Sequence, residues 1–350
     1  MPGALLLGGT GYLGKAFAVA LARAGWSVNV LSRGDAASCQ AVRETIAAAC
    51  GKESGVRVAV TSVPLPTALR GVVASFTDPM ITPIAVVNLG LTERRQRGRE
   101  ELFHWIDALL GLVESVRRGY DQVVFVNIGS ITEYSRWVPE SAYTSARKVL
   151  RQRVFASGLC DFHLVFGLVY PDNPRMERDM RRFLPLLRAS ASVLDSVRLS
   201  CIRLDLLIER LVALLSLTVT QSMPQRESEC TMEVRVLDEE LTVGELISRV
   251  LPQEWERLVP IGRQNAVWNC VAPRLCCALL RVLGVWNDGS LRLSRFYQIA
   301  LREDGDTLNH YLALGRVEEI RRAPSEGIIL ASEEGRVGRL IPSQASWYIL

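Results

Sequence analysis

The sequence predicts a doubly wound α/β fold, in which helices cover both faces of a parallel sheet, followed by a smaller C-terminal lobe. The first observation behind this prediction is the apolar run at 4–7, which is typical of a strand buried on both faces. Glycines at three-residue spacing and a helical pattern follow it at once. The second observation is that apolar runs and amphipathic helical patterns alternate from there to about residue 170.

The elements of the first part of the chain are predicted from their hydrophobic periodicity. Strands are expected at 4–7, 27–31, 56–60, 84–88, 122–128 and 162–165. Helices are expected at 12–24, 36–49, 93–118 and 141–158. In such a sheet, ligands bind at the carboxyl ends of the strands, so we expect functional residues to meet there.

The glycines after the first strand predict a dinucleotide-binding turn. Gly8 permits a tight turn, Gly11 lets the backbone approach a pyrophosphate, and Gly14 allows close packing of the helix. The N–H groups at the helix start attract negative charge. The context of strand, turn and helix makes this a Rossmann-type nucleotide site. The expected cofactor contacts are Gly8, Thr10, Gly11, Tyr12, Leu13 and Gly14 in the turn, and Asn88, Leu89 and Gly90 after the fourth strand.

The end of the second strand indicates which dinucleotide binds. An NAD-specific fold usually places an acidic residue there for the ribose 2′-hydroxyl, whereas Ser32 and Arg33 stand there in this chain. Because an arginine suits a 2′-phosphate, NADP(H) is favoured and NAD(H) is the alternative.

Beyond residue 170 the alternation loosens. A strand–helix unit is expected at 197–217 and a strand at 232–236. Thr242 and Glu245 have the spacing of a capping box for a helix that stops before Pro252. We therefore expect a cofactor-binding domain over 1–170 and a substrate-binding lobe over 171–350, with strands of the lobe able to return to the first domain.

Composition excludes several classes of partner. The formal charge of +4 comes without a basic tail, so nucleic acid is not an expected partner. The eight cysteines lack C-x-x-C spacing, and the first strand begins at the N-terminus, so we expect free thiols, no signal peptide and a cytoplasmic location. No uninterrupted apolar run is long enough for a membrane span. The three histidines, His104, His163 and His310, lack metal-ligand spacing, so no metal is expected. His163 lies within the predicted sixth strand and is expected to be a buried histidine with its hydrogen bonds satisfied.

Together, these segments resemble the short-chain dehydrogenase/reductase superfamily, in its extended epimerase/dehydratase-like branch. The resemblance is carried by G-G-T-G-Y-L-G (8–14), V-V-N-L-G (86–90), V-N-I-G-S (126–130), the region of Tyr143 and G-L-V-Y-P (167–171). It implies an NAD(P)-dependent reductase or epimerase, and a homodimer built on the helices at 93–118 and 141–158.

In that family a serine orients the substrate oxygen, a tyrosine exchanges a proton with it, and a lysine four residues after the tyrosine supports the tyrosine. Ser130 and Tyr143 match the first two roles, at a spacing typical of the short members of the family. The residue four after Tyr143 is Arg147, and Lys148 follows one step later. Three arrangements stay open: Tyr143 with Arg147, Lys148 with Thr144 in the tyrosine position, or an irregular turn that brings Tyr143 and Lys148 together.

The resemblance also limits the reaction and the substrate. Family dehydratases have an acidic pair directly after the serine or threonine. In this chain Ile131 and Thr132 follow Ser130 and the only nearby carboxylate is Glu133, so a dehydratase is not expected. Tyr134 and Arg175 are candidate substrate contacts, and the arginines near Arg175 favour an anionic small molecule such as a nucleotide sugar or a secondary-metabolism intermediate. The alternative function is a dinucleotide-binding protein without turnover, serving as a sensor, scaffold or partner subunit.

Overall fold

The structure, a computed structural model, describes most of the first 256 residues and three short strands near the C-terminus. The described ranges are 2–32, 36–50, 58–62, 84–90, 99–130, 133, 142–171, 173–174, 176–178, 180–181, 184, 198–220, 231–236, 238–256, 319–323, 327–331 and 337–339.

Strands and helices alternate in the first half, as expected. The strands are β1 (Gly3–Leu7), β2 (Ser27–Ser32), β3 (Val58–Ser62), β4 (Ile84–Asn88), β5 (Val123–Ile128), β6 (Phe162–Phe166), β7 (Leu168–Tyr170), β8 (Arg198–Arg203), β9 (Met232–Val236), β10 (Glu239–Thr242), β11 (Glu319–Ala323), β12 (Gly327–Ala331) and β13 (Val337–Arg339). The helices are α1 (Tyr12–Arg23), α2 (Ala36–Cys50), α3 (Arg99–Gly119), α4 (Ala142–Ala156), α5 (Leu204–Thr220), α6 (Val243–Val250) and α7 (Pro252–Glu256).

In the described residues, the central sheet has seven strands in the order β3-β2-β1-β4-β5-β6-β9, and all of the pairs among them are parallel. The strand order reverses between β1 and β4, which is the topological switch point of a doubly wound sheet. This topology confirms the predicted Rossmann-type α/β fold.

Each face of the sheet has its own apolar core. One core joins alternate residues of the strands, such as Leu6 and Val87, to helices α1 and α5. The other joins Leu5 and Val86 to α3 and α4. Because successive side chains of a strand point to opposite faces, a strand covered on both faces must be apolar throughout. The residues of β1 and of β4 are accordingly all buried.

The second region contributes to more than one sheet. Strand β9 pairs with β6 and so completes the central sheet, while β8 pairs with β7 and β10 in a separate three-stranded sheet. The capping box expected at the start of α6 is present, since the Thr242 amide donates to Glu245 Oε2 at 2.7 Å and the Glu245 amide donates to Thr242 Oγ1 at 3.1 Å. Strands β11, β12 and β13 pair antiparallel in a third sheet.

The structure differs from the sequence-based boundaries in places. Strand β3 covers Val58–Ser62 rather than 56–60, and neither β7 nor the short helix α7 was predicted. No helix in the described part of the chain combines the length and apolarity needed to cross a membrane. Within the same residues, no three His, Cys, Asp or Glu side chains are grouped as metal ligands would be.

Candidate active site

The candidate site lies at the carboxyl edge of the central sheet, where β1 and β4 are neighbours. Leu7 of β1 stands beside Asn88 of β4, and Asn88 stands beside Asn127 of β5. The glycine turn therefore adjoins the segment that follows β4. Next to that segment is Ser130, which follows β5. These three segments are those in which the sequence predicts functional residues.

The glycine turn packs against itself, against Gly90 and against Val30, and of its four glycines only Gly11 has open space for a Cβ. Gly8 has φ +83°, and a Cβ there would lie 2.7 Å from Gly90 Cα. A Cβ on Gly14 would lie 2.3 Å from Gly9 Cα. At Gly11, by contrast, a Cβ would meet only Gly8 O, at 3.6 Å. The face of the turn at Gly11 is thus the one that a ligand can approach.

Helix α1 starts at this open face. Its N-cap is Gly11, which has no side-chain cap hydrogen bond, and its first turn contains no acidic residue. The first N–H groups of a helix lack partners within the helix and attract anions. Tyr12 Oη donates to Pro171 O at 2.5 Å, while Leu13 packs against the core. A cofactor would therefore meet the backbone of Tyr12 and Leu13.

The carboxyl end of β2 is hydrogen-bonded to the glycine turn through two hydroxyl groups. Thr10 Oγ1 lies 2.5 Å from Ser32 Oγ, and Ser32 is buried. Arg33 lies outside the described residues, as do Tyr134 and Arg175. Their predicted roles stay predictions.

Asn88 has its side chain inside the sheet. Its Oδ1 accepts from the Gly90 amide at 3.0 Å, and its Nδ2 donates to Asn127 Oδ1 at 2.7 Å. The Leu89 amide donates to Leu7 O at 2.9 Å. The Asn88 side chain thus holds the backbone of residues 88–90 in place by hydrogen bonds, and Gly90 contacts the glycine turn.

A buried polar network continues from Asn88 to Ser130. Asn127 Nδ2 lies 2.9 Å from His163 Nδ1, and His163 Nε2 lies 2.9 Å from Glu133 Oε2. Glu133 Oε1 accepts from the Ser130 amide at 2.9 Å. Asn88, Asn127 and His163 occupy paired register positions on three adjacent strands, and all three are fully buried. The segment after β4 is therefore connected by hydrogen bonds to Ser130.

Arg147 lies on the face of α4 that packs against β5. It is buried, and its Nη1 donates to Ile128 O at 2.5 Å, two residues before Ser130. Lys148 is only half-buried. Tyr143 belongs to the first turn of α4, and its side chain is outside the described residues. Residues four apart on a helix share a face, so Tyr143 is on the Arg147 face of α4.

The role of Asn127 and the contact between His163 and Glu133 are not predicted from the sequence. The prediction that His163 is a buried, hydrogen-bonded histidine of the sixth strand is confirmed, because it is fully buried and has a partner at each ring nitrogen. For Glu133 the sequence indicates only a carboxylate that does not form an acidic pair. One signal was available: Ser130 and Glu133 have the S-x-x-E spacing of a capping box, in which a glutamate side chain accepts from the backbone N–H three residues earlier. The contact with His163 depends on strand register and has no local signal.

Comparisons with known proteins found similarity in structure alone. No family model matches the chain, and no curated protein matches it. An L-sorbose reductase from Gluconobacter frateurii, complexed with NADPH and L-sorbose, is 15% identical, with 67% of this chain and 94% of that chain covered and a TM-score of 0.48. A UDP-glucose 4-epimerase from Stenotrophomonas maltophila with bound NAD is 16% identical, with coverage of 86% and 99% and a TM-score of 0.47. An alcohol dehydrogenase from Thermococcus sibiricus, complexed with 5-hydroxy-NADP, is 19% identical, with coverage of 68% and 96% and a TM-score of 0.43.

Proposed function

We propose that this chain is an NADP(H)-dependent oxidoreductase of the short-chain dehydrogenase/reductase type, a reductase or an epimerase, acting on an anionic small molecule such as a nucleotide sugar or a secondary-metabolism intermediate. One observation carries the proposal. The glycine turn lies at the switch point of the sheet, and Ser130 and the Tyr143–Arg147 face of α4 follow at the carboxyl end of β5, two strands from β1. This arrangement supports a nucleotide beside a group that can exchange a proton.

The residues of the turn suit a dinucleotide. A pyrophosphate would meet the open side of Gly11 and the N–H groups at the start of α1, where the first turn of the helix has no carboxylate to repel it. Gly8 and Gly14, which pack inward, would keep the turn in place.

The preference for NADP(H) is supported by the end of β2. Ser32 is a neutral residue at the position where an NAD-specific fold usually has a carboxylate, and Arg33 follows it in sequence. We expect Arg33→Ala to weaken NADPH binding by roughly 10- to 150-fold, because a charge-assisted hydrogen bond to phosphate contributes about 1.5–3 kcal/mol. NADH binding should stay unchanged. Titration of both cofactors by nicotinamide fluorescence measures this, and equal losses would contradict the preference.

For catalysis we assign Tyr143 as the acid/base, Arg147 as its cationic support and Ser130 as the group that orients the substrate oxygen. The nicotinamide, when bound, supplies or accepts the hydride. Tyr143 would give its proton to the substrate oxygen during reduction, and the positive charge of Arg147, one helical turn away, would stabilise the phenolate left behind. The burial of Arg147 against β5 supports this arrangement over those in which Lys148 has the family role.

The experiment is a comparison of turnover and cofactor affinity in matched variants. The wild type is screened with NADPH against nucleotide sugars and simple carbonyl compounds, by cofactor absorbance for reduction and by chromatography for epimerisation. Tyr143→Phe should abolish turnover and leave NADPH affinity within about twofold. Tyr120→Phe is the control, because Tyr120 precedes β5 and so lies at the opposite edge of the sheet. Full activity of Tyr143→Phe would refute the assignment.

The supporting cation is decided by a second pair of variants. Arg147→Met should lose most of the turnover, whereas Lys148→Met should keep it. The reverse result would place Lys148 in the site.

The second candidate function is dinucleotide binding without turnover. It is favoured by one observation, the arginine that stands where the family has its lysine. A protein that binds NADPH with micromolar or better affinity but converts no compound in the screen would support it.

A further inference from the structure

The buried carboxylate of Glu133 is an unusual feature of the site. Its side chain is 1% exposed and that of His163 is 0% exposed. Burying a carboxylate is costly unless its oxygens are hydrogen-bonded, and an apolar side chain would fill this space without that cost. Both oxygens of Glu133 do have partners, the Ser130 amide on Oε1 and His163 on Oε2. The partners therefore show what the carboxylate holds in place.

The hydrogen bonds of the network run in a single direction. Asn127 Oδ1 accepts from Asn88 Nδ2, so the Nδ2 group of Asn127 faces His163 Nδ1, which must accept. The proton of the neutral imidazole is then on Nε2 and is donated to Glu133. Each of these hydrogen bonds thus has a defined donor and acceptor, and together they connect the Glu133 carboxylate to the strands beneath it.

Glu133 is hydrogen-bonded to Ser130 through both its backbone and its side chain. The Glu133 amide donates to Ser130 O at 3.0 Å, and the Ser130 amide donates to Glu133 Oε1 at 2.9 Å. Both peptide groups of Ser130 are thereby fixed relative to β6. Gly129, the preceding residue, leaves the space that this requires, because a Cβ there would lie 2.6 Å from His163 Nε2.

We propose that Glu133 and His163 are positioning residues, which hold Ser130 in the orientation that its hydroxyl needs toward the substrate oxygen. This proposal rests on the proposed function, in which Ser130 orients that oxygen. Neither Glu133 nor His163 touches the substrate. They act through the Ser130 backbone, and their loss moves the hydroxyl without removing it.

The same chain provides a matched control for a buried carboxylate. Asp161 Oδ2 accepts from the Phe125 amide at 2.7 Å and from Arg117 Nη2 at 2.8 Å. Like Glu133, Asp161 is buried and accepts a hydrogen bond from one backbone N–H. Asp161 directly precedes β6, however, and so lies at the amino edge of the sheet, away from Ser130. Removing Asp161 therefore tests the structural effect of losing such a group far from Ser130.

The experiment compares Glu133→Ala, Glu133→Gln and Asp161→Ala in the full chain. Thermal unfolding reports stability, NADPH fluorescence reports cofactor affinity, and steady-state kinetics use the substrate found in the screen above. Hydrogen exchange of the peptide spanning 127–133, measured by mass spectrometry, needs no substrate. We expect both alanine variants to be destabilised. Only Glu133→Ala should lose tenfold or more in kcat/KM and exchange the Ser130 amide at least tenfold faster, with NADPH affinity within twofold.

Glu133→Gln provides the conservative variant. It keeps an oxygen for the Ser130 amide, so its kcat/KM should lie between the values of the wild type and Glu133→Ala. Equal losses of kcat/KM in Glu133→Ala and Asp161→Ala would overturn the positioning role. If the wild type binds NADPH but turns over nothing, the proposed function fails. Hydrogen exchange then decides whether Glu133 holds Ser130. Faster exchange of the Ser130 amide in Glu133→Ala than in Asp161→Ala supports this role of Glu133, and equal exchange in the two variants overturns it.

Discussion

Gly129→Ala is the substitution whose effect is most directly determined by the geometry of the site. The new Cβ would lie 2.6 Å from His163 Nε2 and 3.2 Å from Glu133 Oε1. The imidazole is fully buried and hydrogen-bonded at both nitrogens, so it cannot move aside without breaking a bond. Overpacking of this kind costs about 1–3 kcal/mol, and a buried polar group left without a partner costs about 1–3 kcal/mol more.

We therefore expect Gly129→Ala to lower the free energy of unfolding by about 2–6 kcal/mol. Gly111→Ala is the control, because a Cβ at this position in α3 meets nothing within 4 Å. Within a helix, alanine is favoured over glycine by about 0.5–1 kcal/mol, so this variant should be more stable than the wild type. The same chemical change is thus predicted to have opposite signs at two positions.

Urea unfolding followed by circular dichroism measures both variants, with the slope of the transition checked for constancy. If Gly129→Ala unfolds within about 0.5 kcal/mol of the wild type while Gly111→Ala is stabilised, then His163 relaxes easily. The rigidity assumed for the network would then be wrong.

Two further predictions follow from the glycine turn and from a buried thiol. Gly14→Ala should destabilise the fold by about 1–3 kcal/mol, because its Cβ would lie 2.3 Å from Gly9 Cα. Gly11→Ala, by contrast, should leave urea unfolding unchanged and weaken NADPH binding tenfold or more. Comparable losses of stability in the two variants would contradict the assignment of the open face at Gly11. Burial raises the pKa of Cys201 from 9.0 to about 12, with Arg249 opposing the shift. The unfolded chain therefore releases this proton near pH 9 and the folded protein does not, so stability should fall as pH rises from 9 toward 12. Urea unfolding at pH 8 and at pH 10.5 should show a smaller loss of unfolding free energy between the two pH values for Cys201→Ala than for the wild type. Equal losses would show that the thiol does not contribute.

Much of the fold could be predicted because its signals are local. An apolar run such as 84–87 and a glycine that needs φ > 0, such as Gly8, each have a short-range pattern in the sequence. The boundaries of β3 were placed two residues early, because its apolar residues do not mark where pairing with β2 begins. The three-residue strand β7 directly follows β6 and Gly167 and has too few residues for a periodicity.

The network beneath Ser130 could not be predicted for a different reason. Asn127 and His163 are 36 residues apart in the chain and meet only because β5 and β6 pair in one register. A shift of one residue in that register would turn one of the two side chains to the other face of the sheet. Parallel strands are joined by long crossovers that do not fix the register locally. The candidate site was thus predictable at its glycine turn and not at its polar interior.

The position of β9 has a consequence for any attempt to cut the chain into parts. Residues 232–236 come from the second region, yet they pair along the whole of β6, whose five residues are all buried. A fragment that ended near residue 170 would leave β6 as a bare apolar edge, which favours association with other chains. The shortest piece that keeps the central sheet closed on this side extends to Val236. Expression of residues 1–170 by themselves should therefore give an aggregating product, and a boundary placed after β9 should avoid this.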